Sequence, residues 1–299
     1  MDSAAGPSRD DRLAYPALLL GNLALAFGPW LVRLADTGAV AAGFWRMALA
    51  LPFLWLLTRM AGQPIRWPGR PLMTAVIFAA AFFAADLAAW HAGIRLTKLG
   101  NATLFGNVSS FAFAAWGLWL ARKWPSTAQA VALALAAAGC AALMAGSADL
   151  SPRHLRGDIL ALVAGLFYFG YLVLVERARG RLQPLPLLLL ASLFGAVMLL
   201  PLSLALGEQV MPQNWTPLIV LAIGSQVVGQ GLLVYALGHV PPLVVGLALL
   251  TQPAISAAIG WFAYGESMTA LDWSGALAIG VALVLVRLRM KGRAPNLPV

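Results

Sequence analysis

Residues 185–206 read LPLLLLASLFGAVMLLPLSLAL, twenty-two consecutive positions without a charge. A hydrocarbon layer about 30 Å thick takes roughly 20 apolar residues of α-helix to cross. This run is therefore a membrane span, and its two prolines are of the kind that membrane helices tolerate. Working outward, nine more apolar runs are bounded by charged, proline- or tryptophan-marked turns: 15–32, 38–57, 72–94, 97–121, 128–145, 158–175, 215–237, 242–264 and 272–286. No stretch alternates at period two, which a transmembrane β-barrel would need. The expectation is an all-α polytopic membrane protein with ten transmembrane helices.

Composition agrees. Of 299 residues, 61% are hydrophobic and 10% charged, against about 25% charged in soluble domains. Too little charge remains to wet a surface, which excludes a soluble enzyme, a disordered chain and a DNA-binding module. The net charge of +9 does not point to nucleic acid, because its Lys and Arg residues sit in short clusters between apolar runs. The single cysteine, Cys140, lies inside an apolar stretch, so neither an internal disulfide nor a zinc site is expected. Residues 1–12 lack a basic segment followed by a cleavage site, so the first apolar run reads as a retained span.

The Lys/Arg bias of short loops orients the bundle. With a cytoplasmic N-terminus, fourteen Lys/Arg residues fall on the cytoplasmic side and five on the other, while Arg46 lies inside a span. Both termini are thus expected in the cytoplasm, in a multi-pass protein of the cytoplasmic (inner) membrane. Trp67, Trp124, Trp215 and Trp273 mark span ends, where an indole keeps its ring in lipid and its N–H in water.

The chain repeats itself weakly. At an offset of 144, Ala17, Gly21 and Arg33 match Ala161, Gly165 and Arg177. The loop near residues 146–157 splits the spans five and five. Five is odd, so a second copy enters the membrane from the other side. A 5+5 inverted repeat follows, as in many secondary transporters. The expected organisation is a polar N-terminus (1–12), a first five-helix repeat (13–146), a linker (147–157), a second repeat (158–289) and a basic C-terminus (290–299).

Polar groups at membrane depth are costly unless paired or wet, so each needs a reason. Asn22, Asn107, Tyr168, Gln226, Gln230 and Gln252 fall near mid-span, with Thr251 and Ser256 beside them. Arg46 and Asp86 are the charges buried well inside spans, at similar depth; a pair near the outer mouth would either gate it or fix helix register. Phe83, Asp86 and Trp90 share one helical stripe, and Gln226 with Gln230 shares another. At the 144 offset Asp86 corresponds to Gln230, and Asn107 to Thr251. Matching polar positions in both halves suit a cavity at the repeat interface; interhelical hydrogen bonding is the alternative for any one of them. The aromatics Phe27, Trp30, Phe83, Trp90, Tyr168 and Tyr171 suit an amphipathic ligand with an apolar part, although rings in membrane helices also pack or face lipid. His91 is read either as a ligand contact or as a solvated interfacial residue. Gly100 and Gly106 in 97–121, and Gly246 and Pro253 in 242–264, mark interrupted helices at corresponding positions, a pointer to a transporter's site. Zincin, nucleophile-elbow and Walker A motifs are absent from the sequence, as is a buried pair of acids. No cofactor, metal or nucleic-acid partner is expected; oligomeric state is not legible.

The phrases Gly43-Phe-Trp-Arg46, Leu99-Gly-Asn-Ala-Thr103, and Leu250-Thr-Gln-Pro253 through Gly265-Glu266, set in a five-plus-five plan, resemble the drug/metabolite transporter superfamily, in particular its EamA-type ten-helix exporters. The chain departs from the pattern at Ser109-Ser110, where a proline is usual, and at Arg122-Lys123, where Gly-Glu is usual. Within the superfamily it looks most like exporters of aromatic and other amino acids. The resemblance implies a central cavity lined by spans 1, 3, 4, 6, 8 and 9, exposed alternately to the two sides. Its substrate would be a small molecule, an amino acid or similar amphipathic metabolite, moved within a lipid bilayer. Gln226, Gln230, Gln252 and Asn107 would hold polar groups; Phe27, Phe83, Trp90 and Tyr168 would pack the side chain; Trp30 and His91 are further contact candidates. Arg46, Asp86, Gly106, Gly246 and Pro253 would gate or hinge. A multidrug or nucleotide-sugar carrier is the rival within the class, and a membrane enzyme or non-transporting receptor the rival outside it.

Overall fold

The structure, a computed structural model, describes residues 9–65, 67–97, 99–122, 124–147, 154–264 and 269–290, and among these every regular element is a helix. Seven stretches are long and apolar enough to cross a membrane: Leu13–Leu34, Ala39–Met60, Arg70–Leu96, Leu155–Arg179, Pro184–Ala205, Thr216–Leu237 and Pro242–Ala263. Shorter apolar helices cover Thr127–Ala142 and Ala270–Leu285. The polytopic all-α reading stands; of the ten spans expected, seven meet that length and hydropathy among the described residues.

The interruptions have local causes. The first stretch divides into α1 (Arg9–Ala26) and α2 (Gly28–Leu34), with Pro29 just past the break; the second into α3 (Ala39–Ala48) and α4 (Ala50–Met60), with Pro52 just past it. Proline has no N–H for the carbonyl four residues earlier and crowds it, so the ladder opens. α5 (Arg70–Leu96) runs unbroken. The next length divides into α6 (Leu99–Gly106) and α7 (Val108–Leu120) without a proline. There Asn107 Nδ2 donates to the Thr103 carbonyl (2.6 Å), Ser109 Oγ to the Gly106 carbonyl (2.9 Å) and Ser110 Oγ to Asn107 Oδ1 (3.1 Å). Such side chains offer backbone groups an alternative to the helical ladder. α8 (Thr127–Ser147) ends the first half.

The second half contains α9 (Leu155–Arg179), α10 (Pro184–Ala205), α11 (Thr216–Val220), a π-helical segment (Leu221–Gln230) and α12 (Gly231–Leu237). It continues with α13 (Pro242–Leu249), α14 (Gln252–Tyr264) and α15 (Ala270–Met290). The α13–α14 break has a proline, Pro253, which leaves the Leu249 carbonyl without its helical donor.

The halves interleave. α5 packs on α9, α1 on the π segment and α12, α3 on α10, α7 on α13, and α8 on α15. Crossings beside the Asn107 break bring backbones together: a Cβ on Gly165 (α9) would lie 2.6 Å from the Gly106 carbonyl oxygen, and one on Gly246 (α13) 2.5 Å from that of Ser110. Phe83, Phe113, Tyr171, Leu172, Leu187 and Leu199 fill the interior, whereas Leu20, Phe78, Val197 and Phe262 are exposed on the outside. Large apolar side chains on the surface belong in lipid, where burial gives no advantage over the hydrocarbon chains.

At one end of the bundle, two loops from different halves are tied together. Glu208 accepts from the Val40 N–H (3.1 Å) and the Ala41 N–H (2.8 Å), at the first turn of α3. The Asp36 carboxylate accepts from the N–H groups of Gln213 and Asn214, both at 2.9 Å. Trp45 Nε1 donates to the Val210 carbonyl (2.7 Å), and its ring meets Trp215 edge-on at 4.8 Å. Arg95 reaches the Thr37 carbonyl at 2.7 Å. The amide of Asn214, helped by that of Gln213, holds the Asp36 carboxyl below its ordinary range.

Candidate functional site

The interior contains a cavity of about 60 Å³ lined from α1, α3, α5, both segments of the α6–α7 helix, α9, the π segment and the α13–α14 break. A water needs roughly 10–15 Å³ of such space, so the cavity has room for about four waters or one small solute. Asp86 lies ten positions from the end of the α5 helix at Leu96, about 15 Å along its axis and so near the middle of a bilayer core.

Of the residues singled out from the sequence, Arg46, Phe83, Asp86, Trp90, Gly106, Asn107, Tyr168, Gln230 and Gln252 line this one space. Leu25, Leu87, Thr103, Ser109, Ser110 and Leu249 complete it. Those six were not in the candidate set. The three leucines are indistinguishable by type from lipid-facing ones, but Ser109 and Ser110 lie within one helical turn of Asn107 and could have been found by that spacing.

The lining is ordered by a few contacts. Phe83 stacks on Tyr171 (centroids 4.4 Å apart, 15° between planes) and tilts toward Tyr168 at 6.2 Å. Gln230 Nε2 donates to the Tyr168 hydroxyl (3.2 Å), while its Oε1 accepts from Tyr171 (3.4 Å). Gln252 Nε2 donates to Asn22 Oδ1 (2.7 Å); Asn22 Nδ2 in turn donates to the Ala248 carbonyl (2.8 Å) and Thr251 Oγ1 (2.5 Å). The carboxamide of Asn22 thereby fastens α1 to the α13–α14 break. That task, and not a cavity wall, is where Asn22 sits.

Arg46 and Asp86 both face the cavity and are nearly fully buried, 3% and 7% exposed. They do not form the direct pair the sequence suggested. Arg46 Nε donates to Gln226 Oε1 (3.1 Å), and its guanidinium carbon stands 5.7 Å from the Phe83 ring centroid. Gln226 is turned to present that oxygen by donating to Ser192 Oγ (2.9 Å). Gln226 therefore stands behind the wall, orienting Arg46. Among the described residues no hydrogen bond or ion pair reaches the Asp86 carboxylate or the two terminal nitrogens of Arg46.

The remaining candidates lie elsewhere. Phe27 sits at the α1–α2 break, partly exposed, 6.5 Å from Trp30, and Trp30 packs with Leu31, Val32 and Trp45 in a separate cluster. His91 is fully buried rather than solvated: Nδ1 is 3.1 Å from the Ala39 carbonyl, and Nε2 has no partner among the described residues. Gly246 serves the crossing of α13 with α7, and Pro253 the break beside it. Among the described residues no cluster of His, Cys, Asp or Glu is suited to a metal ion.

The cavity is thus walled by interrupted helices of a polytopic membrane protein, with Arg46, Asp86 and several amides in its lining. Residues 155–288 match the EamA-like transporter family. The fold of nearly the whole chain is similar to that of a protein of known crystal structure, at a TM-score of 0.76 and 14% identity, over 96% of this chain and 99% of the other. At that identity the likeness concerns fold alone. No curated protein matches the chain.

Proposed function

We propose that the chain is a secondary transporter of the cytoplasmic membrane, with ten helices in two inverted copies of five, which exports amino acids or similar small amphipathic metabolites by alternating access. The observation that carries this reading is the mid-depth cavity: a buried acid and a buried arginine, several amides and hydroxyls, and aromatic walls converge there from both halves. Irregular backbone at membrane depth is tolerated where protein buries it or it lines a cavity, and the Asn107 break does line this one.

The inverted repeat is supported by the packing. Exchanging the first helix of each half, and likewise the third, turns the α5–α9 contact into the contact of α1 with the π segment and α12; the other three pairings map onto themselves. A two-fold axis in the membrane plane has that property. The repeats would span 13–146 and 158–289, and the family match over 155–288 corresponds to the second. Asn107, Gln230 and Gln252 would hold polar groups of the solute, and Phe83, Trp90 and Tyr168 its apolar part. Gly106, Gly246 and Pro253 would sit where helices flex. A phosphorylated substrate, such as a nucleotide sugar, is less well served, since among the described residues Arg46 is the one cation lining the cavity.

Counterflow in proteoliposomes tests the reading. Vesicles preloaded with unlabelled amino acids should accumulate labelled leucine or phenylalanine transiently, and Gln230→Ala or Gln252→Ala should reduce the rate. Absence of exchange for every amino acid and amphipathic amine or acid tried, in a well-folded preparation, would reject it.

A further inference from the structure

The cavity contains an acidic and a basic side chain that do not touch. Asp86 presents a carboxylate with no partner among the described residues, and Arg46 spends only its Nε, on Gln226. Removing either charge from water costs several kcal/mol unless something completes it. A direct salt bridge would do so and leave nothing for a solute. Here Gln226, itself held by Ser192, keeps the guanidinium turned to its own side, and Phe83 lies under it. Phe83 and Asp86 stand one helical turn apart on α5, so the apolar platform and the anionic pole come from one rigid element and the cationic pole from another.

We infer that this cavity selects zwitterions, with the solute's ammonium taken by Asp86 and its carboxylate by Arg46, and with an apolar side chain lying along Phe83, Trp90 and Leu87. This rests on the transport reading above and narrows it. A zwitterion carries both charges across one carbon atom, so it completes both poles at once and adds no net charge to the interior. An amine without a carboxylate leaves Arg46 uncompensated; an acid without an amine leaves Asp86 so; an amide or ester of the amino acid behaves as the amine does. Each lost charge-assisted contact corresponds to about a 10- to 150-fold loss of affinity.

The test uses the full chain purified in detergent. Binding of labelled leucine is competed by 3-methylbutylamine, 4-methylpentanoate and leucinamide, which share the same apolar body. Leucine should outcompete each analogue by at least about tenfold. Asp86→Asn should narrow the margin over 4-methylpentanoate while leaving that over the amine; Arg46→Gln should narrow the margin over 3-methylbutylamine while leaving that over the acid. Asp86→Glu and Arg46→Lys should restore part of each. A merely structural role for either residue would lower all affinities together. If an analogue binds as well as leucine, or the margins do not move in the variants, the charge assignment is overturned while counterflow of those same analogues leaves the transport reading standing. If neither leucine nor any analogue binds or exchanges, both fall.

Discussion

Gly246 and Gly165 allow a quantitative test of how closely the broken helices must approach. A methyl at Gly246 would sit 2.5 Å from the Ser110 carbonyl oxygen and 2.9 Å from the Ala114 Cβ; one at Gly165 would sit 2.6 Å from the Gly106 carbonyl oxygen. Carbon and oxygen rarely approach closer than about 3.3 Å, so the helices would have to part by roughly 0.7–0.8 Å, and a backbone carbonyl has no rotamer with which to retreat. Overpacking of this kind costs about 1–3 kcal/mol. Gly→Ala within a helix also gains up to about 1 kcal/mol in propensity, which masks the cost if a single variant is measured. Gly280 serves as the reference, since a Cβ there meets nothing within 4 Å. Relative to Gly280→Ala, we expect Gly246→Ala and Gly165→Ala to be less stable by about 1–3 kcal/mol, read as thermal unfolding midpoints of the purified chain in one detergent. Equal midpoints for all three would refute the close backbone crossing. Exchange rates measured alongside should fall in the same two variants, because both crossings flank the Asn107 break.

Asn22→Ala removes two donor contacts and the acceptor for Gln252; a loss of about 1–3 kcal/mol is expected, and the double variant with Gln252→Ala should be clearly non-additive in thermal melts. Asp36 is held below its ordinary range by the Asn214 and Gln213 amides, so its contribution is present above the unfolded value of about 3.9 and is lost as pH falls through the lower folded value. Hydrogen exchange at those two amides, normalised for intrinsic rate, should therefore quicken only below about pH 4, and Asp36→Asn should abolish that step. Trp45→Phe keeps the ring contact but drops the donor to the Val210 carbonyl, which should cost about 1 kcal/mol in the same melts and loosen the 206–215 loop in exchange. A green fluorescent protein fused at the C-terminus should fluoresce and an alkaline phosphatase fusion there should be inactive, as the fourteen-to-five Lys/Arg bias requires; the reverse would overturn the orientation.

Much of this architecture was open to reading because a bilayer imposes blunt rules. A run such as 185–206 admits no other environment, and a carboxylate such as Asp86 in the middle of a span has to face something polar. Facing direction was harder. Gln226 and Gln230 lie four apart and look equivalent on a helix, yet one lines the cavity and the other backs Arg46. The helix that carries them is π-wound over Leu221–Gln230, and nothing in that composition announces the winding. The Asn107 break likewise lacks the proline that marks its counterpart at Pro253; it depends on hydrogen bonds among Thr103, Asn107 and Ser110 that are visible only once the backbone has turned. Phe27 and Trp30 shared a type with the cavity aromatics, but ring chemistry does not record which side of a helix meets lipid.

The wide winding over Leu221–Gln230 has a mechanical corollary. Hydrogen bonds there skip one residue more than in an ordinary helix, so retightening the coil by one residue acts as a screw: it turns everything beyond it by about 100° and advances it by about 1.5 Å. Gln230 sits on the last thread, clasping Tyr168 and Tyr171. One such click would swing its amide away from both phenols and reshape the chamber wall without unfolding a single turn.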